Sequence, residues 1–159
     1  MRQYPAAVQK KHIPKKRNTM SRLDDMAAEY IIDLFSASST IRSKSGVRWY
    51  SRGFEHMRAG EYEKAVRCFT RAIDTHPGYT EAYFNRGNAY IYLSQFDDAI
   101  EDFNMALRID PEYADAQYCL GFTCFLKGDI NGAKAGFRRS SELGSERARA
   151  KLEGLRQGE

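Results

Sequence analysis

The sequence predicts an all-α protein, a solenoid of antiparallel helix pairs preceded by one amphipathic helix. Apolar side chains recur at three- and four-residue spacing along most of the chain, which is the period of a helix that buries one face. From about Gly46 onward a block of sequence returns with an offset of 34 residues. Glycine and proline separate the apolar segments at regular intervals, where helices end.

The composition fits one globular domain with tails. The chain has 159 residues, of which 42% are apolar and 29% charged. No run approaches the roughly 20 apolar residues of a membrane helix, and no apolar signal core follows the basic N-terminus. The three cysteines, Cys68, Cys119 and Cys124, lack C-x-x-C spacing and fall within helical patterns. We therefore expect a cytoplasmic protein with reduced thiols.

Residues 1–20 are predicted to be a disordered basic tail. The chain carries a net charge of +4, but six bases and no acid lie in this tail, so the remainder has a net charge of −2. The run KKHIPKKR is typical of a solvated tail, with nucleic acid, anionic lipid or an import receptor as alternative partners. Without interleaved aromatic residues we expect no specific nucleic-acid recognition. Translation from Met20 is a second hypothesis for the start of the chain.

Residues 21–37 are predicted to form an amphipathic helix. Ser21 and Asp24 have the spacing of a capping box, and apolar residues follow at helical spacing from Leu23 to Phe35. So wide an apolar stripe has to be covered. The alternatives are a cap over the first repeat, occupation of a groove, or pairing with another copy of the chain. Residues 38–45 are interpreted as a flexible linker.

Three repeats are predicted at residues 46–79, 80–113 and 114–147. Each contains two helices, A and B, joined by a turn that carries Gly60, Ser94 or Gly128. Small residues such as Gly53 and Gly87 let the A and B helices approach, and Pro77 and Pro111 end the B helices. The third repeat drifts, with Ser140 and Ser145 in the positions of the earlier alanine and proline.

Residues 145–159 are predicted to be a C-terminal capping helix and tail. Ala148, Leu152 and Leu155 share one face, while Arg147, Arg149, Lys151 and Arg156 lie off it. A solenoid exposes its core at both ends, so a helix with this pattern solvates the last repeat.

The repeating pattern resembles the tetratricopeptide repeat, whose Trp, Leu, Gly, Tyr, Ala, Phe, Ala and Pro positions recur here. The first repeat departs from this pattern at Arg52 and His56, and the second at Tyr83 and Arg86. The resemblance implies a right-handed solenoid whose A helices line a concave groove that holds a protein or peptide. It implies an adaptor or scaffold rather than an enzyme.

The resemblance also implies which side chains face the groove. Most are aromatic, so we expect an apolar or amphipathic segment as the ligand, with Asn85 and Asn88 pairing with its backbone. The alternative is that individual rings belong to the core between repeats. The predicted groove residues are Tyr50, Phe54, Met57, Phe84, Asn85, Asn88, Tyr92, Tyr118, Phe122 and Phe125.

Two subfamilies give more specific expectations. Clamp domains that hold the acidic tails of heat-shock chaperones use two Lys, two Asn and one Arg, and only Asn85 matches. The other clamp positions hold Tyr50, Phe54, Asp115 and Cys119. Three repeats behind a helix also resemble type III secretion translocator chaperones. The alternative function is therefore a secretion-type chaperone, or a self-assembling scaffold that forms a homo-oligomer through residues 21–37.

No catalytic or metal-binding constellation is apparent. His12, His56 and His76 lack metal-ligand spacing, and no phosphate-binding loop or nucleophile elbow occurs. The acidic cluster at the start of the second B helix is expected on the solvated outer face. Its members are Asp97, Asp98, Glu101 and Asp102. We predict no enzymatic activity, no metal and no cofactor.

Overall fold

The computed structural model describes residues 44–157, which are helical throughout apart from short turns and contain no strand. The first helix, α1, covers residues 44–58 of the described range. From α2 onward each helix packs on the next, and α3 also contacts α5. The prediction of an all-α solenoid of helix pairs is confirmed. The other helices are α2 Tyr62–Thr75, α3 Thr80–Tyr92, α4 Phe96–Ile109, α5 Ala114–Leu126, α6 Ile130–Glu142 and α7 Glu146–Gln157.

The predicted tail at 1–20, the predicted helix at 21–37 and residues 38–43 of the predicted linker lie outside the described residues. Residues 44 and 45 were assigned to the linker, but they are helical. Gly46 beside them is buried, and because it lacks a Cβ, which would lie 2.8 Å from Oγ1 of Thr75, it allows α1 to begin in contact with α2. The start of α1 therefore packs against the end of α2.

Three turns with a left-handed residue connect the A and B helices. Gly60, Ser94 and Gly128 occupy the same position of successive repeats and have φ angles of +73°, +57° and +85°. Ser94 is the one non-glycine residue in the described range with a positive φ. Because a Cβ is disfavoured in this conformation, the second turn is more strained than the other two.

Glycines permit close approach within each helix pair. A Cβ on Gly53 would lie 2.7 Å from the ring of Phe69, and one on Gly87 would lie 2.9 Å from the ring of Phe103. In the third pair a Cβ on Gly136 would lie 2.6 Å from the Cα of Gly121. The backbones of α5 and α6 are therefore in direct contact.

The core follows the period of the sequence repeat. Phe69, Phe103 and Phe137 are almost completely buried, one in each helix pair. Burial of each ring stabilises the fold by roughly 1.5–3 kcal/mol. At the C-terminal end Ala148 of α7 is buried, and Leu152 packs against the same cluster as Phe137. The last helix thus covers the core of the third pair.

The sequence-based interpretation of Asp102 is wrong. Asp102 is 2% exposed rather than solvated. Its carboxylate accepts hydrogen bonds from Nε of Arg86 at 2.8 Å and from Nη2 at 2.7 Å. Asp102 is the counterpart of the buried Cys68 of the preceding repeat, at a position of helix B that faces helix A. The repeat register therefore places it inside, and Arg86 compensates its charge.

Candidate functional site

The predicted groove residues lie on α1, α3 and α5 and fall into groups according to their contacts. One group consists of rings that pack near the end of their own repeat unit. Tyr50 packs on Tyr79 at 4.8 Å and Phe84 on Tyr113 at 4.9 Å, in each case the residue just before the next A helix. Tyr118 packs on the guanidinium of Arg147, in the first turn of α7, at 4.5 Å. We call these three contacts the staples.

The staples are partly or fully buried. Tyr118 is 8% exposed, while Tyr50 and Phe84 are half-buried. Burial raises the pKa of Tyr113 to about 12, and the Asp115 carboxylate adds to that effect. Tyr50, Phe84 and Tyr118 therefore contribute to the core whether or not they also contact a ligand.

Asn85 and Met57 also make internal contacts. The Asn85 side-chain amide donates hydrogen bonds to the Tyr50 hydroxyl at 2.9 Å and to the Glu81 carbonyl at 2.8 Å. Burial raises the pKa of Tyr50, the Glu81 carboxylate raises it further, and the Asn85 hydrogen bond opposes them. Met57 packs against the cluster of Ala65, Phe69 and Ala89. The N–H donors of Asn85 are thus already paired.

A second group of predicted residues is open to solvent. Phe54 is 48% exposed, Tyr92 63% and Phe125 43%. The Tyr92 ring stacks on Tyr62 of α2 with the centroids 4.5 Å apart. This contact holds one face of Tyr92 in place and leaves the other free.

Four predicted residues share one cavity of about 320 Å³. They are Asn88, Tyr92, Tyr118 and Phe122, from α3 and α5. The Asn88 side chain makes no hydrogen bond to any described residue, so its amide can bind a ligand. Phe122 also borders a second cavity, of about 350 Å³, together with Phe125 and Leu155. Tyr50, Phe54, Met57, Phe84 and Asn85 line neither of these two cavities.

Ile91, Cys119 and Arg147 complete the first cavity. Burial raises the pKa of the Cys119 thiol to about 11, with Asp115 adding to the shift and Arg147 opposing it. The thiol is therefore protonated at neutral pH and is a poor nucleophile. It contributes an apolar wall rather than a reactive group.

Arg147 is the functional candidate that the sequence analysis missed. It had been placed away from the apolar face of the C-terminal helix. The signal that identifies it is the register, because Arg147 follows Tyr113 by one repeat length, as Tyr113 follows Tyr79. It therefore occupies the same staple position, with a cation in place of a phenol.

Two further findings concern residues 44–157. None of the helices in that range is long and apolar enough to cross a bilayer. Nor do histidine, cysteine and carboxylate side chains gather there in a group that would ligate a metal. The candidate site is thus a surface of rings, one free amide and one guanidinium.

Comparison with known proteins gives matches to family models and to solved structures. Models described as "Tetratricopeptide repeat" match residues 47–79 and 80–113. Neither match includes residues 114–142, which form the pair α5 and α6. A comparison with curated protein sequences gave no match.

Several solved tetratricopeptide-repeat (TPR) domains are similar to the chain. The Sgt2 TPR domain from Aspergillus fumigatus is 30% identical with a TM-score of 0.66, and the match covers 71% of this chain and 78% of that one. The second TPR domain of human RPAP3, solved with the HSP70 peptide SGPTIEEVD, is 26% identical with a TM-score of 0.66, covering 74% and 98%.

The type III secretion chaperone SycD of Yersinia enterocolitica, solved with a peptide of the translocator YopD, has a TM-score of 0.69. It is 19% identical, with 73% of this chain and 95% of that one covered, and this likeness shows the fold alone. The chain therefore belongs to the tetratricopeptide-repeat family, as the repeated helix pairs, the two family matches and the likeness to the Sgt2 domain establish.

Proposed function

We propose that the surface around Asn88 and Phe122 binds a polypeptide segment with apolar side chains. The tetratricopeptide-repeat fold is a scaffold for protein interactions, so the general role follows from the family. The observation that carries the specific proposal is the first cavity, in which the rings of Tyr92, Tyr118 and Phe122 surround the amide of Asn88. An amide of this kind can pair with a peptide backbone while the rings take apolar side chains.

The C-terminal half of the A-helix face is expected to bind the ligand more tightly than the N-terminal half. Both cavities lie there, between α3, α5 and α7. In the N-terminal half the donors of Asn85 are engaged, and Phe54 is exposed but borders neither of these cavities. We therefore expect the ligand to bury its main apolar side chains against Tyr92, Phe122 and Phe125.

An acidic chaperone tail is not the ligand that this surface favours. The second TPR domain of human RPAP3 was solved with the peptide SGPTIEEVD. Of the clamp residues expected for such a tail, this chain retains Asn85, whose amide is paired with Tyr50. The clamp position at Asp115 holds a carboxylate, which repels an acidic peptide.

The proposal can be tested by selecting random peptides on the full chain by phage display and titrating a selected peptide in a calorimeter. We expect enrichment of peptides with two or more large apolar side chains. The double variant Asn88→Ala and Phe122→Ala should weaken binding by about tenfold or more, because Ala removes both the ring and the amide. Ile109→Ala, which removes an exposed apolar side chain elsewhere, should leave the affinity unchanged.

The peptide SGPTIEEVD serves as the opposing ligand in the same experiment. The proposal predicts that it binds weakly and that Asn85→Ala does not change its affinity. Tight binding of SGPTIEEVD that Asn85→Ala abolishes would contradict the apolar preference and indicate recognition of acidic tails. If a selected peptide binds the double variant and the original chain with equal affinity, the binding surface lies elsewhere.

A further inference from the structure

A second surface, on the first repeat, is separate from the groove and strongly basic. It is a cleft of about 400 Å³ between α1 and α2, which we call the end cleft. From α1 it is lined by Trp49, Arg52 and His56. From α2 it is lined by Lys64, Arg67, Cys68 and Arg71.

The charges of the end cleft are poorly compensated. Lys64 and His56 both contact the Glu61 carboxylate, at 2.6 Å each. Arg52, Arg67 and Arg71 form no ion pair with any residue of the described range. Three exposed guanidinium groups thus share a small area without a carboxylate to neutralise them.

The Trp49 ring contacts two of these guanidinium groups. The guanidinium carbon of Arg71 lies 4.6 Å from the centre of the Trp49 ring, and that of Arg52 lies 5.7 Å away. Such cation–π contacts hold the long side chains in position and leave their N–H groups free to donate. The cleft is therefore a preorganised receptor for carboxylates.

The second repeat shows what shape of ligand fits this position. Tyr83 and Arg86 are the counterparts of Trp49 and Arg52 and have the same 5.7 Å ring-to-guanidinium distance. There the face is covered by α2, whose Thr70 hydroxyl accepts a hydrogen bond from Arg86 at 2.9 Å. The equivalent face of the first repeat is shaped to receive a helix.

We propose that the end cleft is a docking surface for a helix of a partner protein that presents acidic side chains one turn apart. The cations support this, because Lys64, Arg67 and Arg71 follow the i, i+3, i+7 spacing of one helix face. The chain's own residues 21–37 also carry four Asp and Glu against Arg22 and are the competing occupant. They follow the six bases of residues 1–20, which would be brought beside the same cations, so we assign the occupant to a partner. An acidic helix compensates the cluster.

The test uses the full chain and the fluorescence of Trp49, which is the one tryptophan in the sequence. The probe is an alanine-based helical peptide of about 20 residues, long enough to be helical in water, with four Glu along one face. A peptide with Lys at those four positions is the control. We expect the Glu peptide to shift the Trp49 emission saturably and the Lys peptide to leave it unchanged.

Charge reversal identifies the binding residues. Arg67→Glu plus Arg71→Glu should weaken binding of the Glu peptide by about tenfold or more. Arg108→Glu plus Arg138→Glu, which makes the same charge change at exposed positions elsewhere, should have little effect. Circular dichroism would show that both variants remain folded. Equal affinity in the two double variants would overturn the proposal.

Two other occupants are distinguished by further arms of the experiment. If an oligothymidine of about 15 nucleotides binds more tightly than the Glu peptide with the same Trp49 response, the cleft is a nucleic-acid surface and the proposal fails. The second arm neutralises the acids of residues 1–43 in the full chain, with Asp24→Asn, Asp25→Asn, Glu29→Gln and Asp33→Asn. If this variant binds the Glu peptide about tenfold more tightly, the chain itself supplies the occupant and the partner is excluded.

Discussion

The first two repeats carry the same ring-and-arginine pair at equivalent positions and use it in different ways. In the second repeat Arg86 is enclosed, with the carboxylate of Asp102 and the hydroxyl of Thr70 as hydrogen-bond partners. In the first repeat Arg52 is exposed, and Cys68 stands in the position of Asp102. The charge at two neighbouring B-helix positions is also reversed, from Lys64 and Arg67 in the first repeat to Asp98 and Glu101 in the second.

This difference shows that the role of a position depends on what covers it. A buried guanidinium needs a carboxylate, because an unpaired charge inside the protein is costly. An exposed guanidinium is solvated by water and needs no partner for folding. The pair in the second repeat therefore contributes to the structure, whereas the pair in the first repeat is free to bind a ligand.

The largest expected effect comes from breaking the enclosed pair. Arg86→Leu leaves the Asp102 carboxylate buried without a partner and should lower the free energy of unfolding by about 3–5 kcal/mol. Arg52→Leu, the matched change in the first repeat, should cost less than about 0.5 kcal/mol. Urea unfolding monitored by circular dichroism measures both.

The double variant Arg86→Leu with Asp102→Ala checks the cause. The third repeat already holds Leu120 and Gly136 at these two positions, so an uncharged pair is compatible with the fold. We expect the double variant to recover most of the loss. A double variant as unstable as Arg86→Leu alone would mean that the packing of Arg86, rather than its charge pairing, is what stabilises the second repeat.

A smaller effect follows from giving the first repeat the carboxylate of the second. Cys68→Asp places a negative charge among Arg52, Arg67 and Arg71, and should weaken binding of the Glu peptide by about fivefold through competition for the guanidinium groups. Titration followed by Trp49 emission measures the change. Cys68→Ser is the neutral control, and equal affinities for the two variants would contradict the competition.

The smallest effect concerns the turns. Ser94 adopts a left-handed conformation that Gly60 adopts at the equivalent position of the first repeat. Ser94→Gly should raise the free energy of unfolding by about 0.5 kcal/mol, because relief of the strain exceeds the extra chain entropy of glycine. Gly60→Ser should lower it by a similar amount. If Ser94→Gly is neutral or destabilising in urea unfolding, the Ser94 side chain compensates its strain by another contact.

The repeat architecture could be predicted from the sequence because its signals are local. Helical periodicity, the turn residues and Pro77 and Pro111 each act within a few residues. The A-helix surface was harder to predict, because a ring such as Phe84 contacts Tyr113 at the far end of its own repeat unit. Which of the predicted residues contact a ligand stays a prediction.

The remaining features depend on partners distant in sequence. Asp102 belongs to a run of acids that looks solvated, and Arg86 is the contact that makes its burial tolerable. Asn85 finds the Tyr50 hydroxyl in the preceding repeat. The end cleft could not be predicted, because Arg52 and His56 depart from the repeat pattern and the sequence alone does not place them beside Arg67 and Arg71.

The staples also bear on how the length of such a chain can change. Each of the first two staples joins an A helix to the residue that precedes the next A helix, so it closes within one repeat unit. Removal of residues 80–113 would leave Tyr79 followed by Ala114 in place of Thr80, with the contact of Tyr79 to Tyr50 intact. A gene encoding this fold can therefore lose or duplicate a whole unit in frame and keep the staples of the remaining units.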